Sequence, residues 1–520
     1  MIVYRKDHLI YYIIVIGTIV RCIIAANVEL GNDEVYYWTY ALHLQASYFD
    51  HPPLVALFIR IFTFDLHFNE EIFVRLIAII GSAINTWLIY KILCRIKSKQ
   101  AGIYAALLYT ACVYTSVISG LFILPDSPQV IFWLMGIYLL LKIFILSEKQ
   151  HRNIILFGIT AGLCTLCKIH GLYLWFAAGM YILLFERKWL LNKYLWLSVL
   201  ITLLLISPIF YWNYQNDFIT YSYHSQRVIA NSGIHISSFL TEVAGEILYA
   251  NPVNFALIII VIVVCIRKKL FVKNKKLFAL LLLLSLPLIF IFWIVSIFRD
   301  TLPHWSGPGY IALLILVAYY SNAVFRNRNR ILTIIYSANA LLIGVLIIGY
   351  VLVNYLPAQI GSSDLHNMGS GDFTLDLFGW EDFETKFEAL VKSDTADKAM
   401  GGSPILLSNK WFPAAHIDYY LAHPLNMRLY AFGPLFDIHN FAWLDQLNGT
   451  IKPGTDAYYI APSNYYSNPA QFFSNNFKII ESPVVIPQFR DGREVRCFYI
   501  YRMKFYKGGL NVSIGGNEIK

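Results

Sequence analysis

The sequence predicts a mainly α protein, a polytopic transmembrane helical bundle of about 11 spans followed by a C-terminal extracytoplasmic α/β domain. Three observations carry that expectation. Of 520 residues, 58% are hydrophobic and only 14% are charged, and the mean hydropathy is +0.55; soluble domains carry roughly 25% charged residues. Apolar stretches near the length that about 30 Å of hydrocarbon requires recur along residues 1–355 and then stop. Basic residues gather in alternate loops. These features exclude a soluble globular enzyme, a disordered chain and a disulfide-knotted fold. With 36 Phe, 36 Tyr and 12 Trp, the chain also has the aromatic content for interfacial belts and a lined cavity.

The spans fall near 9–27, 72–94, 101–119, 128–146, 153–168, 170–185, 194–212, 250–266, 277–297, 305–324 and 331–354. Arg21 and Cys22 interrupt the first, and no small-residue cleavage site follows it, so it reads as a retained span rather than a signal peptide. With a cytoplasmic N-terminus, the inner loops collect Arg5 and Lys6, Lys91 to Lys99, Lys149 and Arg152, Arg187 to Lys193, Arg267 to Lys276 and Arg326 to Arg330. That pattern obeys the positive-inside rule and puts residues 356–520 outside. The net charge of +9 thus belongs to cytoplasmic loops, and no nucleic-acid footprint is present.

Residues 1–355 are read as the membrane domain and 356–520 as the outer domain, with Ser362–Gly371 as a Gly/Ser-rich linker. In the outer domain, Ile405-Leu406-Leu407 reads as a strand followed by a helix from Trp411 to Leu421. Ala457–Ala461 is a second strand, and Val484–Ile486 and Val495–Tyr501 flank the hairpin signal Asp491-Gly492. Cys497 is the single cysteine there, so no disulfide closes within it. The pair Cys164 and Cys167 lies in an apolar span and reads as small packing residues.

Polar residues beside a bilayer are costly, so their positions are informative. The first outer loop, 28–70, opens with Gly31-Asn32-Asp33-Glu34 and continues through Tyr36-Tyr37-Trp38 to Tyr48-Phe49-Asp50-His51-Pro52-Pro53. Two adjacent acids there suit a general base or a metal ligand; the alternative is Asn32 or Asp33 capping a short interfacial helix. Asp126, in Leu124-Pro125-Asp126-Ser127-Pro128, reads either as a helix N-cap or as a second functional acid. Lys168 reads either as a snorkelling cation or as a contact for lipid phosphate. Asn213, Asn216, Asp217, His224 and Arg227 form one further outer polar set, and Arg299, Asp300 and His304 another. Their common side is the signal: carboxylates, imidazoles and cations gather on one face.

At these residues the chain resembles the bacterial members of the GT-C superfamily, the glycosyltransferase family 39 type. That group holds the dolichyl-phosphate-mannose-protein mannosyltransferase-like and lipid A aminoarabinose transferase-like proteins. The resemblance rests on Asp33-Glu34, Tyr48–Pro53, Pro125-Asp126-Ser127-Pro128, Lys168-Ile169-His170, Trp212-Asn213, Pro303-His304-Trp305 and Leu377-Phe378-Gly379-Trp380. It implies a GT-C bundle in a bacterial inner membrane that moves one sugar, with inversion, from a polyprenyl-phosphate donor. The acceptor would be an envelope glycolipid such as lipid A, a polysaccharide or a protein.

Under that resemblance Asp33, Glu34 and Asp126 are the catalytic acids, with Asp33 as the base. Lys168 is the first candidate for the donor phosphate, with His51, Arg227, Arg299, His304 and Tyr37 as further substrate contacts. No organic cofactor is implied. Participation of a divalent metal is open, with Asp33 and Asp126 as its candidate ligands; no cluster has zinc spacing. A sugar on phosphate already has a good leaving group, so one carboxylate and some cations suffice, whereas a glycosidase needs two opposed carboxyls. The competing class is a lipid or solute transporter. It fits less well, because transporters bury ionisable groups at mid-membrane within repeats. In a bacterium, Asn448-Gly449-Thr450 and Asn511-Val512-Ser513 would not serve as glycosylation sites.

Overall fold

The computed structural model describes residues 8–228, 233–325, 327–357 and 360–510. Arg5, Lys6, Arg326 and Asn511-Val512-Ser513 lie outside them. Contacts divide the chain into two compact units, one of Met1–Ile23 with His51–Leu346, the other of Ile24–Asp50 with Ile347–Lys520. The division differs from the boundary at 355/356 read from the sequence. Residues 24–50, placed with the membrane domain on hydropathy grounds, belong by contact to the unit that holds the C-terminal sheet.

In the first unit every expected span is helical, from Leu9–Ala25 to the long helix Arg328–Tyr355. Among the described residues, six helices are long and apolar enough to cross a bilayer alone: Leu76–Ile96, Asp126–Phe144, Lys193–Gln215, Leu270–Ser296, Gly307–Val324 and Arg328–Tyr355. The others are shorter or broken. Ile236–Ala250 and Pro252–Arg267 meet at 96°, and the bend is held by Asn251. Its Nδ2 donates to the carbonyls of Ala111 and Ala338, each at 2.9 Å, and its Oδ1 accepts the Val253 N–H at 3.0 Å. Leu270–Ser296, one of the six, is itself interrupted at Ser285-Leu286-Pro287, where proline cannot donate. Tyr173 bridges it: its hydroxyl donates to the Leu283 carbonyl at 2.7 Å and accepts the Leu288 N–H at 3.1 Å. Lipid offers no substitute partner, so protein groups must supply these bonds.

Small residues set the closest helix approaches, as membrane packing requires. Gly158, in Gln150–Cys167, has the Ser198 backbone directly over it, so no side chain fits there. Thr202 then donates to the Gly158 carbonyl at 2.7 Å and Ser198 to that of Ile154 at 2.5 Å.

The second unit contains a six-stranded sheet: β1 (Ile405–Ser408), β2 (Leu429–Ala431), β3 (Ala457–Pro462), β4 (Phe477–Ile480), β5 (Val484–Arg490) and β6 (Arg493–Tyr506). Their order is β2-β1-β3-β6-β4, with β5 also paired to β6. β1 is parallel to β2 and β3, which explains its unbroken apolar run, since parallel strands are covered on both faces. The β5–β6 hairpin turns at Asp491-Gly492, both at positive φ, as the sequence predicts. β2, β4 and the helix Trp380–Ala396 were not foreseen. Ser362–Gly371 is no free spacer. Its backbone bonds to itself at Ser362–Ser370 and Gly369–Ser362, and Tyr499 and Ser463 donate to the Leu365 and Met368 carbonyls.

Candidate active site

In the first unit the polar residues converge on Asp126. Pro125 starts its helix and leaves the carboxylate in the first turn, where the helix dipole favours an anion. Gln150–Cys167 ends at Cys167, and Lys168 turns to extended backbone, which aims its side chain across at that turn. Lys168 Nζ lies 2.7 Å from Asp126 Oδ2, with the two side chains only 4% and 2% exposed. Asp126 Oδ1 accepts the Tyr114 hydroxyl at 2.9 Å. Gly307 packs on the Tyr114 ring so closely that a Cβ there would overlap it. Lys168 therefore does not snorkel; its ammonium is buried and paired.

Imidazoles surround the pair. His304 lies within electrostatic range of both Asp126 and Lys168. Burial first, and then the Lys168 ammonium, lower it to about 4, so it is neutral near pH 7. His170, two residues past Lys168, stacks near Phe292 at 5.5 Å and lies within electrostatic range of Lys168, Asp126, His51 and His224. The His51 and His224 rings are 6.1 Å apart. Arg299 stands in the loop between Ser296 and Gly307 and is partly exposed. Arg227 falls at the end of Ile219–Val228, its side chain outside the described residues.

The second unit holds the first-loop acids. The loop 28–42 is largely the helix Asn32–Leu42, capped by Gly31 rather than by Asn32 or Asp33. Adjacent helical residues point about 100° apart, and the two acids diverge accordingly. Glu34 is buried and turns back to accept the Gly31 N–H at 3.0 Å, closing the helix end. Asp33 is exposed in the first turn. Glu34 thus carries a structural bond that the expected acid pair did not include, and Asp33 is the solvent-facing carboxylate of the two. Tyr37 is buried between the Tyr36 and Tyr40 rings, at 5.7 and 5.6 Å. Tyr36 and Tyr40 both donate to Asp50.

This segment is tied to the rest of its unit by polar bonds. Glu29 accepts the Trp380 and Glu381 N–H groups at the start of Trp380–Ala396. Asn32 Nδ2 donates to Asp376 at 2.9 Å, and His416 Nε2 lies 3.1 Å from the carbonyls of Leu30 and Asp376. Burial, and then Arg496, lower His416 to about 3, while burial raises Asp376 to about 6. Leu377-Phe378-Gly379-Trp380 is legible here as the turn, at Gly379 φ 84, that caps this helix.

A divalent cation finds no ready ligand set. Among the described residues no three His, Cys, Asp or Glu side chains group as a metal site, and the two oxygens of Asp126 already take a hydroxyl and an ammonium. Sequence reasoning missed Tyr114 as the partner of Asp126; a Tyr twelve residues upstream in an apolar stretch gives no signal. It also missed Glu242 and Glu246, whose spacing of four within an apolar helix was legible.

Residues 50–212 match the family model of dolichyl-phosphate-mannose-protein mannosyltransferase. The chain is 21% identical over 313 residues to the lipid A galacturonosyltransferase RgtD of Rhizobium johnstonii, a match that covers 59% of this chain and 64% of that protein, short of two thirds. In three dimensions it superposes on ArnT from Cupriavidus metallidurans, with a TM-score of 0.61 at 15% identity over 98% of this chain and 99% of that one. The chain has the GT-C fold of that protein. The same protein bound to undecaprenyl phosphate gives 0.60 over the same shares. The archaeal oligosaccharyltransferase AglB of Archaeoglobus fulgidus, in complex with an inhibitory peptide and a dolichol-phosphate, gives 0.50 at 13% identity, over 87% of this chain and 69% of that one.

Proposed function

We propose that this chain is a membrane glycosyltransferase that moves a single sugar from a polyprenyl-phosphate donor to an envelope acceptor, with inversion, on the outer face of a bacterial inner membrane. The observation that carries the reading is the match, over 98% of the chain, to a solved protein that holds undecaprenyl phosphate. The family model and the lipid A transferase relative support the same class of reaction.

In this mechanism the acceptor hydroxyl attacks the anomeric carbon while the bond from that carbon to the phosphate oxygen breaks. Asp33 takes the hydroxyl proton, and the electron pair leaves on the phosphate, so no acid is needed there. Lys168 supplies the positive potential for that phosphate, and Asp126 with Tyr114 holds its ammonium in place. His304 is neutral and serves as a hydrogen-bonding group rather than as a charge. Arg299, Arg227, His51 and Tyr37 are further proposed substrate contacts, and Glu34 holds the helix that presents Asp33. The acceptor is a glycolipid such as lipid A, an envelope polysaccharide or a protein hydroxyl.

The test is product analysis with a defined polyprenyl-phosphate sugar and an envelope extract. The reading expects a product whose anomeric configuration is opposite to the donor's, and its loss in Asp33→Asn. Retained configuration, or near-normal turnover in Asp33→Asn, would contradict it. Gradient-coupled flux in proteoliposomes without sugar transfer would return the weight to a transporter.

A further inference from the structure

Outside the Asp126 cluster, the first unit buries two further carboxylates that the mechanism does not use. Glu242 and Glu246 sit four residues apart on one face of Ile236–Ala250 and are 0% and 1% exposed. Each has one oxygen satisfied: Thr301 donates to Glu242 Oε2 at 2.6 Å, and Trp293 and Tyr310 donate to Glu246 Oε2, Tyr310 at 2.9 Å. The other oxygen of each, Glu242 Oε1 and Glu246 Oε1, is buried and accepts no well-aligned hydrogen bond, with the Ser306 hydroxyl also beside the Glu246 carboxylate. A buried carboxylate oxygen left without a donor is costly. Two such carboxylates four residues apart on one helix mark a place that awaits hydrogen-bond donors.

The position is as informative as the charge. One short loop serves both clusters: Thr301 bonds Glu242, Pro303 packs on Gly245 so closely that no side chain fits there, and His304 faces Asp126 and Lys168. Tyr249, one turn beyond Gly245, has its ring 6.3 Å from that of His304. One loop therefore joins these acids to the surroundings of the buried ammonium assigned above to the donor phosphate.

We infer that Glu242 and Glu246 form the subsite for the sugar carried on that phosphate, and that they select a sugar rich in donors and free of negative charge. This rests on the glycosyltransferase reading. Hydroxyls, or an amine, would donate to the two open oxygens. A uronic acid would bring a third carboxylate, an acceptor without a donor, to two buried acids four residues apart, so neutral and amino sugars are accepted and uronic acids are rejected. The selectivity would thus differ from that stated in the name of the galacturonosyltransferase relative.

The test measures binding of four probes to the purified full chain: polyprenyl phosphate, and the same lipid carrying a neutral hexose, an amino sugar or a uronic acid. Wild type should bind the neutral and amino sugar forms at least tenfold more tightly than the uronic acid form. Glu242→Gln and Glu246→Gln, which keep size and one acceptor, should cut that ratio at least fivefold while leaving affinity for bare polyprenyl phosphate unchanged. A merely structural role would weaken all four probes alike and would overturn the inference, as would tight binding of the uronic acid form by wild type. Failure of wild type to bind any sugar-bearing lipid would overturn both this inference and the glycosyltransferase reading. Sugar binding and turnover with an unaltered ratio in both variants would overturn this inference alone.

Discussion

Replacing Lys168 with Met leaves a carboxylate that is 1% exposed without its cation. Breaking a buried pair from one side costs about 3–5 kcal/mol, because the remaining charge keeps its desolvation penalty. Here Asp126 retains the Tyr114 hydroxyl, and a hydrogen bond to a charged group is worth roughly 1.5–3 kcal/mol, so the lower end of that range is expected. A loss of about 3 kcal/mol is roughly two decades in the folded-to-unfolded ratio. In Asp126→Asn with Lys168→Met no unpaired charge is left, and Asn still accepts from Tyr114. The double variant should therefore be more stable than Lys168→Met alone, with a coupling of about 2 kcal/mol or more between the sites. The assay is tryptophan-monitored unfolding in detergent of wild type, both single variants and the double. Losses that simply add would refute the claim that these two side chains form one buried unit.

Other outcomes follow from separate parts of the molecule. Gly158→Val forces a side chain into the Ser198 backbone; a loss of about 1–3 kcal/mol is expected in the same unfolding assay, against a small effect for Gly344→Val, which meets nothing within 4 Å. His416 is held near 3, below its unfolded value of about 6.5, so the folded state binds fewer protons and stability is lost as pH falls below about 6.5. His416→Gln, which can still donate to the Leu30 and Asp376 carbonyls, should reduce that loss between pH 6.5 and 4 relative to wild type. For orientation, Thr450→Cys should react with an impermeant maleimide in intact spheroplasts, and Lys273→Cys only after permeabilisation; the reverse pattern would invert the topology.

Hydropathy made the helices of residues 1–355 legible because lipid imposes one rule on every span. Each expected span is helical, although among the described residues only six helices are long and apolar enough to cross alone; the bends at Asn251 and at Ser285–Pro287 are held by distant groups that no local pattern reveals. In the sheet of the second unit, β1, β3 and the Asp491-Gly492 hairpin carried strong local signals, whereas β2 and β4 gave none. The acids, imidazoles and cations stood out in the sequence as residue types. Their wiring within each unit did not: in the first, Lys168 turns inward because its helix ends at Cys167, and in the second, Glu34 turns back onto Gly31 while its neighbour Asp33 is exposed. Membership of residues 24–50 in the unit of the C-terminal sheet depends on Glu29, Asn32 and His416, long-range bonds invisible to hydropathy.

The most direct measurement is release of free polyprenyl phosphate from a panel of polyprenyl-phosphate sugars by the purified protein, with an envelope extract as acceptor and Asp33→Asn run alongside. The proposed reaction predicts release that depends on the sugar, requires the extract and disappears in Asp33→Asn while that variant remains folded. Absence of release with every donor from folded wild-type protein, or equal release by Asp33→Asn, would contradict it.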